Sequence, residues 1–88
     1  MTYTVVLLRE EDGRYSVYVP ALRGCNTWGE TLPHALRMAE EAMRLHAESL
    51  QVRGQSLPPD VSKVEVDLAD ATEAVIYKIA LTEAAQVA

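Results

Sequence analysis

Residues 19–31 read Val-Pro-Ala-Leu-Arg-Gly-Cys-Asn-Thr-Trp-Gly-Glu-Thr. This stretch decides the fold, because one run holds a proline, two glycines, the only cysteine, the only tryptophan and a helix-start residue. Pro20 has no backbone donor, so it ends a strand or sits on a sheet edge. Gly24 and Gly29 supply backbone angles that side chains resist, and a short third strand fits around Gly24 to Trp28. Thr31 is a helix N-cap whose hydroxyl can accept a first-turn amide, and Pro33 lacks only a donor that this turn leaves unused. His34 stands where a capping box would place Glu or Gln, so no reciprocal capping bond is expected.

Upstream, residues 3–9 (YTVVLLR) are β-branched and aliphatic with little alternation, as in a strand covered on both faces. Tyr15, Val17 and Val19 alternate with Ser16 and Tyr18 and predict a second strand. Asp12-Gly13 between them predicts a two-residue type I′ hairpin, which makes the two strands antiparallel neighbours. Glu10, Glu11 and Asp12 form its acidic tip.

Downstream, Leu32, Ala35, Leu36, Ala39, Met43, His46 and Leu50 recur at three- and four-residue steps, the apolar stripe of a helix packed on a sheet. Arg37, Glu40, Glu41, Arg44 and Glu48 fall away from it, while Met38, Ala42 and Leu45 widen it. Gly54 stops the helix, and Leu57-Pro58-Pro59 forms a rigid connection. Residues 62–68 (SKVEVDL) alternate and predict a half-exposed fourth strand, returned parallel to a neighbour by a right-handed crossover. In the tail, Val75, Tyr77, Ile79 and Leu81 alternate in their turn and predict a further strand, although the composition also permits a helix. The expectation is an α+β chain: a βββαβ domain over residues 1–68, then an extension over 69–88 used in sheet or oligomer pairing.

Eighty-eight residues make one domain with a small margin of stability, which a partner or a second copy would widen. The formal net charge is -5 and the eight basic residues are dispersed, so tight nucleic-acid binding is not expected and a basic partner is. One cysteine rules out an intrachain disulfide. No basic leader and no apolar run approaching the ~20 residues of a membrane span is present, so a soluble cytoplasmic chain is expected.

The residues offer little chemistry. Cys25 and His34 could in principle pair as nucleophile and base, but no orienting third group accompanies them, and a buried turn residue is the simpler reading of Cys25. His34 and His46 lie ~18 Å apart along one helix, too far to share a metal. The acidic tip and Glu40-Glu41 could serve a metal-dependent nuclease only by converging in a pocket. The Gly24 to Gly29 spacing lacks the Lys and Ser/Thr of a phosphate loop. No catalytic, metal or cofactor site is therefore expected. Trp28, a lone aromatic beside a glycine, is either an interface anchor or buried under the helix's first turn, and as the anchor it forms the candidate partner-binding set with Glu30, Glu40 and Glu41.

The run VPALRGCNTWGETLPHALRMAEEAM resembles the HicB family of antitoxins, over about residues 3–68. Pro20, Leu22, Gly24, Cys25, Thr27, Gly29 and Thr31 match that family's segment as fold determinants, and Ala35, Ala39 and Ala42 match the small positions of its helix. Glu30 replaces the commoner Asp, and Pro33-His34 replaces acidic residues. The resemblance implies a partial ribonuclease H-like fold: a three-stranded antiparallel meander, one long helix and a fourth strand, without the ribonuclease's catalytic carboxylates. It also implies a HicA-type toxin as partner, a small basic RNA-cleaving protein whose catalytic surface is blocked. Complete HicB antitoxins append a helix-turn-helix or ribbon-helix-helix domain, and the residues after Leu68 are too few for one, so direct DNA binding is not expected. An unpaired sheet edge predicts a homo-oligomer, a dimer or tetramer. The alternative reading is an orphan homo-oligomeric protein-binding module with no toxin partner.

Overall fold

The computed structural model describes residues 1–81. Its elements are β1 (Thr2–Arg9), β2 (Tyr15–Tyr18), β3 (Asn26–Gly29), α1 (Leu32–Val52) and β4 (Glu73–Ala80). The strands form one sheet in the order β3-β2-β1-β4, with every neighbouring pair antiparallel. The class is α+β, a four-stranded antiparallel sheet under a single helix.

Strand β1 is central, and its alternating side chains go to opposite faces. Tyr3, Val5 and Leu7 join Val17 and the α1 residues Ala35, Ala39, Met43 and Ala47 in the buried core, with Val75, Tyr77 and Ile79 of β4 packed against it. Ala47 belongs to this stripe, whereas the expected His46 and Leu50 are only half-buried and Leu45 is exposed. The small helix side chains let α1 approach closely. A Cβ on Gly29 would lie 2.5 Å from both Cα and N of Ala35, so glycine is needed there for space rather than for backbone freedom.

The hairpin closes differently from the expected two-residue turn. The Gly13 N–H donates to the Glu10 carbonyl and the Glu10 N–H to the Arg14 carbonyl, at 3.0 and 2.8 Å, and in this turn only Gly13 takes a positive φ, at 91°. That is a three-residue loop in which one glycine supplies the left-handed position. The Asp12 side chain instead accepts the Arg14 N–H. At the start of α1, the Thr31 hydroxyl accepts the His34 N–H at 3.2 Å. Nδ1 of His34 reaches back to the Glu30 N–H at 3.1 Å, so the reciprocal bond that the sequence led us not to expect is made one residue outside the usual box.

The fourth strand is not the one its sequence predicts. Residues 62–68 form no strand, and the alternating run in the tail does, antiparallel to β1 over all eight positions from Thr2 opposite Ala80 to Arg9 opposite Glu73. Among the described residues no parallel crossover forms. Strand β1 has two edges and β2 occupies one, so only one of the two alternating segments can take the other. The tail run offers eight ladder positions and two large aliphatic side chains with an aromatic one, Val75, Ile79 and Tyr77, packed on the core, against Val64, Val66 and an exposed Leu68 for residues 62–68.

Strand β2 covers β1 only from Val6 to Arg9, which leaves the Thr4 amide without a strand partner. Asp60 takes its place. Its Oδ1 accepts the Thr4 N–H at 2.9 Å, and its Oδ2 accepts the Thr4 hydroxyl at 2.8 Å and Lys78 Nζ at 2.9 Å. The Tyr3 hydroxyl donates to the Pro58 carbonyl beside it. Desolvation pushes the Asp60 carboxyl upward, but hydrogen bonds from Thr4, Lys78 and the Val61 amide outweigh it and bring its pKa down to about 2.

Candidate partner-binding surface

The β2–β3 register builds a corner at the sheet edge. Trp28 lies opposite Ser16 and Gly29 opposite Tyr15. Continuing that register by one residue sets Arg14 opposite Glu30 and diagonal to Trp28, within reach of a long side chain on the same face. The Arg14 guanidinium sits 5.6 Å from the Trp28 ring centre. The His34 ring meets the indole edge-on at 6.3 Å and 74°, held there by its bond to the Glu30 amide. Trp28 is thus fixed on two sides yet 50% exposed. An aromatic side chain that is rigid and still open to water can be buried by a partner at little entropic cost, as interface anchors are.

Next to this corner the charge is negative. Glu10, Glu11 and Asp12 at the hairpin tip surround a shallow hollow of about 310 Å³ together with Asp70. Asp12 also pairs with Arg14 at 3.3 Å, both side chains more than half exposed, so the pair contributes geometry more than energy. Asp12, Arg14, Trp28, His34 and Glu30 form one continuous chain of contacts along the sheet end.

Of the four residues nominated from the sequence, Trp28 and Glu30 fall together. Glu40 and Glu41 are exposed on α1, ~13 Å or more along the axis from the Thr31 cap, and join no ion pair among the described residues. Sequence reasoning missed Arg14, His34 and Asp70 as members of the surface. The Asp12-Gly13 turn signal could have pointed to Arg14, because a hairpin register carries it to the tryptophan. Asp70 has no local signal, since it is brought there by Thr72, whose N–H docks on the Arg9 carbonyl at 2.7 Å.

Other chemistry-bearing residues lie elsewhere. Cys25 is buried in the β2–β3 connection, its N–H on the Leu22 carbonyl at 2.9 Å, and burial pushes its thiol pKa up, away from the reactive thiolate. Gly24 takes a φ of 85° in the same turn. A second shallow groove, about 360 Å³, opens between this connection and the far end of α1, with Arg23, His46, Leu50 and Arg53 in its lining. Among the described residues no three His, Cys, Asp or Glu side chains gather as a metal site, and no helix is long and apolar enough to cross a membrane.

Comparison with known proteins gives a consistent family. The sequence model of the HicB-like antitoxins of bacterial toxin–antitoxin systems matches residues 3–86. A UPF0150 protein of Thermoplasma acidophilum is 47% identical over 60 residues, covering 68% of this chain and 87% of that protein. A UPF0150 protein of Synechocystis is 40% identical over 58 residues, covering 66% and 73%. Among solved structures, the N-terminal domain of the Burkholderia pseudomallei antitoxin HicB matches with a TM-score of 0.72 at 27% identity, over 93% of this chain and 99% of that one. Against the longer structure of the same antitoxin the match covers 92% of this chain and 63% of that one. A chain of the HicA3 and HicB3 toxin–antitoxin complex shares the fold, with a TM-score of 0.64 at 22% identity, over 93% and 99%.

Proposed function

The chain belongs to the family of HicB-like antitoxins of bacterial toxin–antitoxin systems, and from that premise we propose that it binds and neutralises a small basic RNA-cleaving HicA-type toxin. It acts by covering the toxin's surface in the cytoplasm and performs no chemistry of its own. The observation that carries this reading is the half-exposed Trp28 braced between Arg14 and His34 beside four carboxylates. The indole supplies an apolar anchor, and Glu10, Glu11, Asp12 and Asp70 supply a negative field for a protein that must itself be basic to hold RNA. Neutralisation then follows from mass action, because toxin held in the complex cannot meet its substrate. Trp28 and Glu30 are the central contacts, and Glu40 and Glu41 contribute long-range attraction.

The test is an RNA-cleavage assay with the HicA-type toxin encoded beside this chain or recovered with it from its cells. Cleavage should fall in proportion to the chain added and stop near stoichiometric amounts, with protection weakening as salt rises. Full cleavage at tenfold excess of the chain would refute the reading.

A further inference from the structure

The far end of α1 carries a half-buried patch that the core does not use. His46, Leu50 and Arg53 follow one another at four- and three-residue steps, so they share one side of the helix end. With Ala21 and Arg23 of the β2–β3 connection and Pro58 of the chain leaving the helix, they line the groove of about 360 Å³. Apolar surface with a few polar groups set in it is the make-up of a small-molecule site, and the volume falls at the lower end of that class. The chain has a net charge of -5, yet no carboxylate lines this groove. Arg23 and Arg53 are exposed and join no ion pair among the described residues.

Both arginines stand on fixed backbone. The Leu22 N–H donates to the Val19 carbonyl at 3.0 Å and the Cys25 N–H to the Leu22 carbonyl at 2.9 Å. The Leu22 side chain is 1% exposed, which pins Arg23 beside it. At the helix end the Gly54 N–H donates to the Gln51 carbonyl at 3.0 Å and the Gln55 N–H to the Leu50 carbonyl at 2.8 Å, a Schellman closure. The Arg53 N–H and its Nε both donate to the Ser49 carbonyl, at 3.3 and 3.4 Å, which leaves other guanidinium donors for a ligand. The carbonyls of Ser49, Leu50 and Gln51, whose dipoles would repel an anion, are thereby occupied.

We propose that this groove binds a nucleoside monophosphate, with the phosphate held by Arg23 and Arg53 and the base laid on the apolar surface beside His46. Two guanidinium groups with no carboxylate between them suit a dianion, because each can donate two parallel hydrogen bonds to phosphate oxygens. A carboxylate ligand would need only one of them. Leu50, Pro58 and the His46 ring supply surface that a flat base can cover. A longer nucleic acid needs a positive track along its backbone, and of the other six basic residues Arg9, Arg14 and Lys78 are already paired with carboxylates. The groove and the Trp28 corner stand at opposite ends of the 21-residue helix, ~30 Å apart along its axis. The nucleotide and a toxin at that corner therefore do not compete.

An NMR titration of the isotope-labelled full chain with adenosine monophosphate tests it. Binding should saturate with a Kd of about 0.1–1 mM, and the shifted amides should cluster at residues 22–24 and 53–56. Arg23→Gln and Arg53→Gln should each weaken binding about tenfold with circular dichroism unchanged, because both side chains are exposed. Trp28→Ala should bind the nucleotide as the natural chain does. Inorganic phosphate and adenosine should each bind about tenfold more weakly than the two joined. No saturation by about 10 mM, or an affinity indifferent to both arginine substitutions, would overturn the proposal. So would adenosine or inorganic phosphate binding as tightly as the monophosphate, or a single-stranded RNA binding more than about tenfold tighter than it.

Discussion

Two charged clusters flank β1, and both are assembled from a carboxylate, a cation and a neighbouring polar or aromatic group. At the Thr4 end, Asp60 takes up the Thr4 amide and hydroxyl and Lys78 Nζ in one network, and its side chain is only 18% exposed. At the opposite end of the sheet, Asp12, Arg14, Trp28 and His34 touch one after another while staying at least half open or, for His34, half-buried. The first cluster replaces backbone pairing that β2 no longer supplies, so its loss should cost stability. The second satisfies only solvent-exposed amides, that of Arg14 through Asp12 and that of Glu30 through His34, so its loss should cost binding more than stability. Burial, rather than the kinds of group present, separates a structural junction from a docking surface.

The comparison can be broken most forcefully beneath Trp28. Gly29→Ala puts a methyl group against the Ala35 backbone and should lower unfolding free energy by about 3 kcal/mol in urea denaturation. A small loss would mean that α1 can shift away from β3. The neighbouring Trp28→Ala should leave stability within about 1 kcal/mol, yet weaken toxin binding by about 2 kcal/mol or more, roughly thirtyfold, in a calorimetric titration.

Asp60→Asn should do the reverse, removing about 1–3 kcal/mol of stability with toxin affinity unchanged. Its pH dependence has a definite sign. The folded carboxyl titrates at about 2 against 3.8 for the ordinary value, so the native state binds fewer protons than the unfolded one. The stabilisation is complete above about 4 and fades as pH falls toward 2. Thermal melts of the natural chain should steepen in that window, and those of Asp60→Asn should be flatter. Smallest of all, Glu40→Gln and Glu41→Gln should change stability by less than about 0.5 kcal/mol and act chiefly on the association rate at low salt.

Legibility in the sequence followed the range of the interaction. The first two strands, the Thr31 cap, the span of α1 and its stop near Gly54 are set by neighbours a few residues apart, and the residues announce them. The choice between residues 62–68 and 73–80 for the edge of β1 is a competition across the whole chain, and two alternating runs give no local way to decide it. The candidate surface divides likewise. Trp28 was legible as a lone aromatic beside a glycine but not as exposed, whereas Arg14 arrives through strand register, His34 through a displaced capping bond and Asp70 through the Thr72 tether. Periodicity placed Glu40 and Glu41 on the helix exterior, but nothing in it could tell that they stand apart from Trp28.

Because Trp28 is the chain's only tryptophan, it can report on its own burial. Fluorotryptophan incorporated at this position, followed by fluorine NMR while unlabelled HicA-type toxin is added, tests the docking surface directly. The account predicts a shifted resonance that reaches its end point at stoichiometric toxin and becomes shielded from solvent. A toxin that binds to saturation while this resonance stays where it began would contradict it.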